Sequence, residues 1–141
     1  MHGMRRLLLA LFLILPFATM ADSSYTSQIN KCDNMAKQDL SQPENYSNVR
    51  MLQITDTQTE CYKSVAMGII EKSYAQNAKS MVAEFNDFCE AAQKLSRTTM
   101  YPDSCAPQCG TIAGLQAAAL YREMVLNYLN SLIKAVNPEM H

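Results

Sequence analysis

Residues 69–101 read IIEKSYAQNAKSMVAEFNDFCEAAQKLSRTTMY, an interval of 33 residues between Gly68 and Pro102 that contains neither glycine nor proline. Those two residues are the strongest interruptions of a helix, so their absence leaves the segment free to wind. Apolar residues recur through it, and just before it, at helical spacing: Tyr62, Val65, Ile69, Tyr74, Ala78, Met81, Phe85, Phe88, Ala92 and Leu95. Thr57 followed three residues later by Glu60 has the form of a capping box, which predicts a helix start near Asp56. The helix then runs to about Arg97, either whole or broken near Ser73 to Ser80, where polar residues cluster. Gly68 costs about 1 kcal/mol relative to alanine inside a helix, a cost that so many neighbours absorb.

Working outward, a second strong helix is expected from about Ile112 to Val136, with Leu115, Ala118, Tyr121, Val125, Leu129, Leu132 and Val136 as its apolar stripe. Asn137-Pro138 ends it, because the residue before a proline disfavours helical geometry. On the other side, Ser24 to Leu40 reads as a shorter, more polar helix that Ser41-Gln42-Pro43 breaks, and Asn48 to Thr55 as a further turn of helix. The segment Thr98 to Gly110 carries Pro102, Pro107, Gly110 and two cysteines, and reads as a tight loop. No alternating run of β-branched residues is long enough for a strand. The expected class is all-α: a small disulfide-stabilised helical hairpin or bundle with an added N-terminal helix.

The start of the chain has the layout of an export signal. Arg5 and Arg6 precede an apolar run from Leu7 to Phe17, and Thr19-Met20-Ala21 supplies small residues where a signal peptidase reads. That run is too short to span a bilayer, which takes about 20 residues. Residues 1–21 are therefore expected to be a signal peptide and 22–141 a single helical domain, periplasmic or secreted, with no membrane segment after cleavage. The position immediately after Ala21 is Asp22 and not a cysteine, which argues against a lipid anchor. The formal charge moves from −1 to −3 when Arg5 and Arg6 leave, since all acidic residues lie beyond them. With basic residues scattered and no aromatic-basic interleaving, nucleic acid is not an expected partner.

Five cysteines follow the signal: Cys32, Cys61, Cys89, Cys105 and Cys109. In an oxidising compartment they point to disulfides, and the odd number leaves one thiol over. Cys89 shares an apolar stripe with Phe85, Phe88, Ala92 and Leu95, so it is the candidate free, buried thiol. The others are disulfide candidates, with Cys32 and Cys61 expected to bridge to Cys105 and Cys109; Cys89 pairing to the nearby loop is the rival. Each bridge stabilises by about 2–4 kcal/mol.

The chemistry open to the chain is narrow. After residue 21 the only histidine is His141, the last residue, which leaves no imidazole for Ser–His–Asp or Cys–His catalysis and none for a histidine zinc site. The chain is thus not expected to be an enzyme or to carry a cofactor. Cys105 and Cys109, with Met100 nearby, form an alternative copper(I) site, since soft thiolate and thioether ligands suit that ion. Against it, the remaining methionines are spread along the helices as core filler rather than clustered. Glu84, Asp87 and Glu90 are close enough in sequence for paired-carboxylate chemistry but fall on the polar face of the long helix, where a solvated charged face is the simpler reading. Arg122 is a candidate anchor for a carboxylate, with a surface salt bridge as the plainer role. Asn45-Tyr46-Ser47 is a glycosylation acceptor in a eukaryotic host.

Gln58-Thr59-Glu60-Cys61 opens a helix that Ile70 to Tyr74 continues, a long amphipathic stretch reaches Cys89, and Cys109-Gly110-Thr111 leads into a last helix bearing Arg122 ahead of Leu126 and Leu129. Over roughly residues 55–134 this order resembles the LprI-type lysozyme inhibitor family of small exported helical domains. The chain departs from that pattern in having no tryptophan in the middle helix, and in the additional Cys105 and Cys109. The resemblance implies an envelope protein that binds a protein partner, lysozyme among the candidates, and implies no particular binding residue. Copper(I) handling and an envelope structural or chaperone-like role are the alternatives. Oligomeric state is not fixed by any of these features.

Overall fold

Ser47 marks the first clear boundary. Its hydroxyl accepts a hydrogen bond from the Arg50 backbone N–H at 3.2 Å, capping a helix that starts at Asn48. In the computed structural model, which describes residues 20–101 and 110–137, four helices follow one another: α1 (Met20–Leu40), α2 (Asn48–Ser73), α3 (Ala78–Met100) and α4 (Gly110–Val136). A single 3-10 turn, Pro43–Asn45, lies between α1 and α2, with proline where its missing N–H costs nothing. There is no strand among the described residues. The protein is a small all-α bundle stabilised by a disulfide. Residues 1–19, most of the expected signal peptide, and Pro138 and His141 lie outside the described residues.

The helix expected to begin near Asp56 begins eight residues earlier. Thr57 is not a cap: its hydroxyl bonds back to the Gln53 carbonyl at 2.9 Å, inside α2. A threonine hydroxyl can serve either purpose, and the Ser47 cap upstream settles which. The long helical interval is broken rather than whole, at Tyr74 to Asn77. The Tyr74 N–H closes α2 on the Ile70 carbonyl, and the Met81 N–H opens α3 on the Asn77 carbonyl, both at 2.9 Å.

α4 is the shared partner of the bundle. It packs along both α2 and α3, whereas α2 and α3 touch each other at few points and α1 packs chiefly on α2. Asn48 Nδ2 donates to Thr111 Oγ1 at 2.9 Å and Arg122 Nη1 to Gln58 Oε1 at 3.1 Å. These pairs are separated by 63 and 64 residues, so α2 and α4 run parallel in constant register. The core between them holds Tyr62, Ile69, Ile70, Phe85, Val125 and Leu129, all buried. Phe85 and Phe88 pack on Tyr128 with ring centroids 5.1 and 5.2 Å away, the offset spacing aromatic rings favour.

Two details of the stripes differ from expectation. Leu95 is 56 % exposed, and the buried position at that level of α3 is Ser96, whose hydroxyl is satisfied by the Ala92 carbonyl at 2.8 Å. At the start of α4 the inward face carries Ala113 and Ala117, leaving Leu115 and Ala118 half-buried. Small side chains there keep α4 close to α2. No helix among the described residues is long and apolar enough to cross a membrane.

Candidate functional site

The cysteines are arranged differently from the sequence expectation. Cys32 is bridged to Cys61, with their Cα atoms 5.7 Å apart, and not to Cys105 or Cys109. The reversal at residues 41–47 lays α1 back along α2, which brings the two side by side before α4 is involved. Cys105 and Cys109 lie outside the described residues, and with them the copper(I) ligand set; Met100 is half-buried at the end of α3. Cys89 is unbridged and buried. Burial pushes its thiol up from the ordinary range, partly opposed by the Tyr121 hydroxyl beside it. A thiol held protonated in this way is a poor nucleophile.

Beside the disulfide, four polar side chains connect three helices. Asp33 Oδ1 on α1 accepts from Gln58 Nε2 at 3.0 Å and from the Tyr62 hydroxyl. Gln58 Nε2 also lies 2.9 Å from the Tyr62 hydroxyl oxygen, and its carbonyl accepts from Arg122 of α4. Gln58 thus relays between an anion and a cation that do not touch. Burial, followed by the Asp33 carboxylate, pushes the Tyr62 phenol up to about 12. Arg122 is half-buried and spends one N–H on this network, and it forms no salt bridge among the described residues.

Glu84, Asp87 and Glu90 are exposed on the outer side of α3, a solvated face. Asn45 of the glycosylation triplet is 7 % exposed: its Nδ2, the atom a glycan would join, donates to the Asp39 carbonyl at 2.8 Å, and its Oδ1 accepts from Arg50 Nε at 3.1 Å. The folded protein therefore does not present that nitrogen. Among the described residues no group of three or more His, Cys, Asp or Glu side chains is placed to hold a metal ion.

The concave feature of the molecule is one that the sequence did not announce. Where α2 and α3 diverge, α4 shows between them as the floor of a cleft of about 360 Å³. Leu52 and Asp56 of α2 form one wall, Gln93, Arg97 and Tyr101 of α3 the other, and Gly114, Ala117, Ala118 and Tyr121 the floor. Asp56 keeps much of its surface in water, yet its carboxyl is pushed up, chiefly by burial of part of it between the helices, with Arg97 opposing. Arg97 sits in the last turn of α3, where its charge also complements the helix dipole. The ion pair Lys63–Glu60 at 3.0 Å is the one formed among the described residues, so Asp56 and Arg97 face the cleft without closing on each other.

In the sequence Asp56 reads as a helix boundary and Arg97 as a helix end, so neither stands out as a site residue. The available signal is Gly114, an otherwise unexplained glycine near the start of a strong helix. A Cβ at that position would stand 2.6 Å from the Tyr101 hydroxyl, so the missing side chain is what seats Tyr101 against the floor. Compared with protein-family models, curated proteins and solved structures, the chain matches none.

Proposed function

We propose that the protein is a non-enzymatic binding protein, exported to the periplasm or secreted, that holds a protein partner in the cleft between α2 and α3. Lysozyme is the partner that the family resemblance implies. The observation that carries this reading is the cleft itself: a concave, mostly apolar surface with an anion and a cation on facing walls that form no ion pair among the described residues. Sites of that composition are where proteins place ligands. The Cys32–Cys61 bridge and the Asp33–Gln58–Arg122 relay support the reading by holding α1, α2 and α4 in one arrangement, which lowers the ordering cost of association. The signal layout of residues 1–21 supports export, and the lack of any histidine between it and His141 supports a role other than histidine-based catalysis.

The test has two arms. Lysozymes of several types are assayed with and without micromolar excess of the purified protein; inhibition that Arg97→Gln weakens is the expected result, and no inhibition of any type removes lysozyme as the partner. Capture from a native envelope, with the wild type and the same variant as baits, addresses the broader statement. A partner retained by wild type and lost by the variant is expected; no partner retained by either overturns the binding-protein reading.

A further inference from the structure

The cleft continues past Tyr101. A second cavity of about 240 Å³ shares Leu52, Tyr101 and Gly114 with the first and is walled beyond them by Asn48, Val49 and Thr111. The two lie along one groove over α4 from Thr111 to Tyr121, about 15 Å at the rise of a helix, on either side of the Tyr101 hydroxyl that rests on Gly114. An extended chain covers that length in about four to five residues. The groove is graded along its length. Its outer end is apolar, with Val49 left 58 % exposed, and its inner end carries Asp56 and Arg97, neither ion-paired among the described residues.

We propose that this groove takes a short extended peptide segment of a protein partner, with an apolar side chain seated over Ala117 and Ala118, a basic residue facing Asp56 and an acidic residue facing Arg97. The inference rests on the binding-protein reading above and names the chemistry of what is bound. Charge complementarity selects the occupant. A purely anionic or cationic ligand leaves one wall unsatisfied, and a purely apolar one strips water from both charges without replacing it. A peptide supplies both charges, the apolar side chain and a backbone of matching length.

Gly114 provides the means to test this without unfolding the protein. Alanine within a helix is intrinsically more favourable than glycine, but its methyl group would displace the Tyr101 hydroxyl from its seat between the two cavities. The probe is the end-blocked pentapeptide Gly-Lys-Leu-Glu-Gly, titrated into the full protein and followed by NMR amide shifts. Saturable shifts are expected around Asp56, Arg97 and Gly114. Replacing the peptide's lysine or glutamate with glutamine, or its leucine with serine, is expected to weaken binding by about tenfold each. Asp56→Asn abolishes the distinction between the lysine and glutamine peptides, and Gly114→Ala weakens binding about tenfold with an unchanged or raised Tm. Equal affinity for all the peptides, free leucine binding as well as the pentapeptide, or no saturable shift at millimolar peptide overturns the inference. A partner captured equally well by wild type and Arg97→Gln overturns the groove assignment while leaving a binding protein. Saturable peptide binding with no partner captured supports the groove and removes the partner reading instead.

Discussion

Removing the Cys32–Cys61 bridge has an effect whose size follows from where the two residues lie. They are separated by 29 residues, and closing a loop of that length in the unfolded chain removes enough entropy to stabilise the fold by about 3.5 kcal/mol on the loop-closure model. The double variant Cys32→Ala/Cys61→Ala isolates this bridge from whatever the other cysteines do, which reduction of the wild type does not. In urea, with a slope of about 2 kcal/mol/M for a domain of this size, the midpoint falls by about 1.5–2 M. The loss is also localised. α1 is held to α2 by the bridge, by Asp33 and by the apolar contacts of Tyr25, Ile29 and Ala36, and it packs on little else. Amide exchange is therefore expected to accelerate first and most in residues 24–40, while α3 and α4 lose protection only with the global decrease. A midpoint within about 0.3 M of wild type refutes the energetic argument. Protection lost evenly along all four helices refutes the packing argument. Peptide mapping that joins Cys32 to Cys105 or Cys109 refutes both.

Phe85→Ala removes a ring buried against Phe88 and Tyr128 and is expected to cost about 3–5 kcal/mol, read as a loss of urea midpoint; a cost under about 1 kcal/mol means that the aromatic cluster is not central to the core. Cys89 is expected to resist a thiol reagent in the native protein and to react at once in denaturant, and fast native labelling at that residue contradicts its burial. Tyr62, Tyr121 and Tyr128 all have phenols pushed up by burial, Tyr62 to about 12. Because the unfolded phenol ionises first, near pH 10, this stability is complete below that pH and is lost as the pH climbs toward about 12. Phenolate absorbance from these residues should appear together with loss of helical circular dichroism, and full ionisation near pH 10 with the helices intact counts against it.

How far the sequence speaks depends on the kind of signal each feature leaves. The helical character of α3 and the span of α4 are legible because each is a run of apolar residues at helical spacing, while the break that separates α2 from α3 is not fixed by that spacing. Tyr121, Val125, Leu129 and Leu132 are core residues on either basis. The start of α2 is not legible from Thr57 and Glu60, since a threonine that caps and one that bonds back four residues look alike in a sequence. Leu95 is misread because periodicity drifts over a long helix, and the surface takes the leucine while the core takes Ser96. Cysteine pairing depends on which helices lie side by side, which composition does not encode; the 41–47 reversal decides it. The groove is the least legible feature, because it comes from the divergence of α2 and α3 rather than from any local pattern. Asp56 and Arg97 are 41 residues apart and acquire their relation only when α4 lies beneath both.

The buried hydroxyls have a further consequence for how such a bundle assembles. Thr55, Thr59 and Ser96 each bond to the carbonyl four residues back, within their own helix. Their polar atoms are satisfied as soon as the helix forms, before any helix meets another. Apart from the weak contact of Ser96 Oγ with Met124 Sδ at 3.7 Å, helices that carry such groups can dock, separate and dock again without breaking a polar bond, so most of the interface constrains shape but not alignment. Alignment is left to the few directional links between helices, from Asn48 to Thr111 and through Asp33, Gln58, Tyr62 and Arg122. The bundle thus separates a search that is fast and forgiving from a final step that locks one register. The lock sits on α2 and α4, the two helices whose alignment places Asp56 above the floor of the groove.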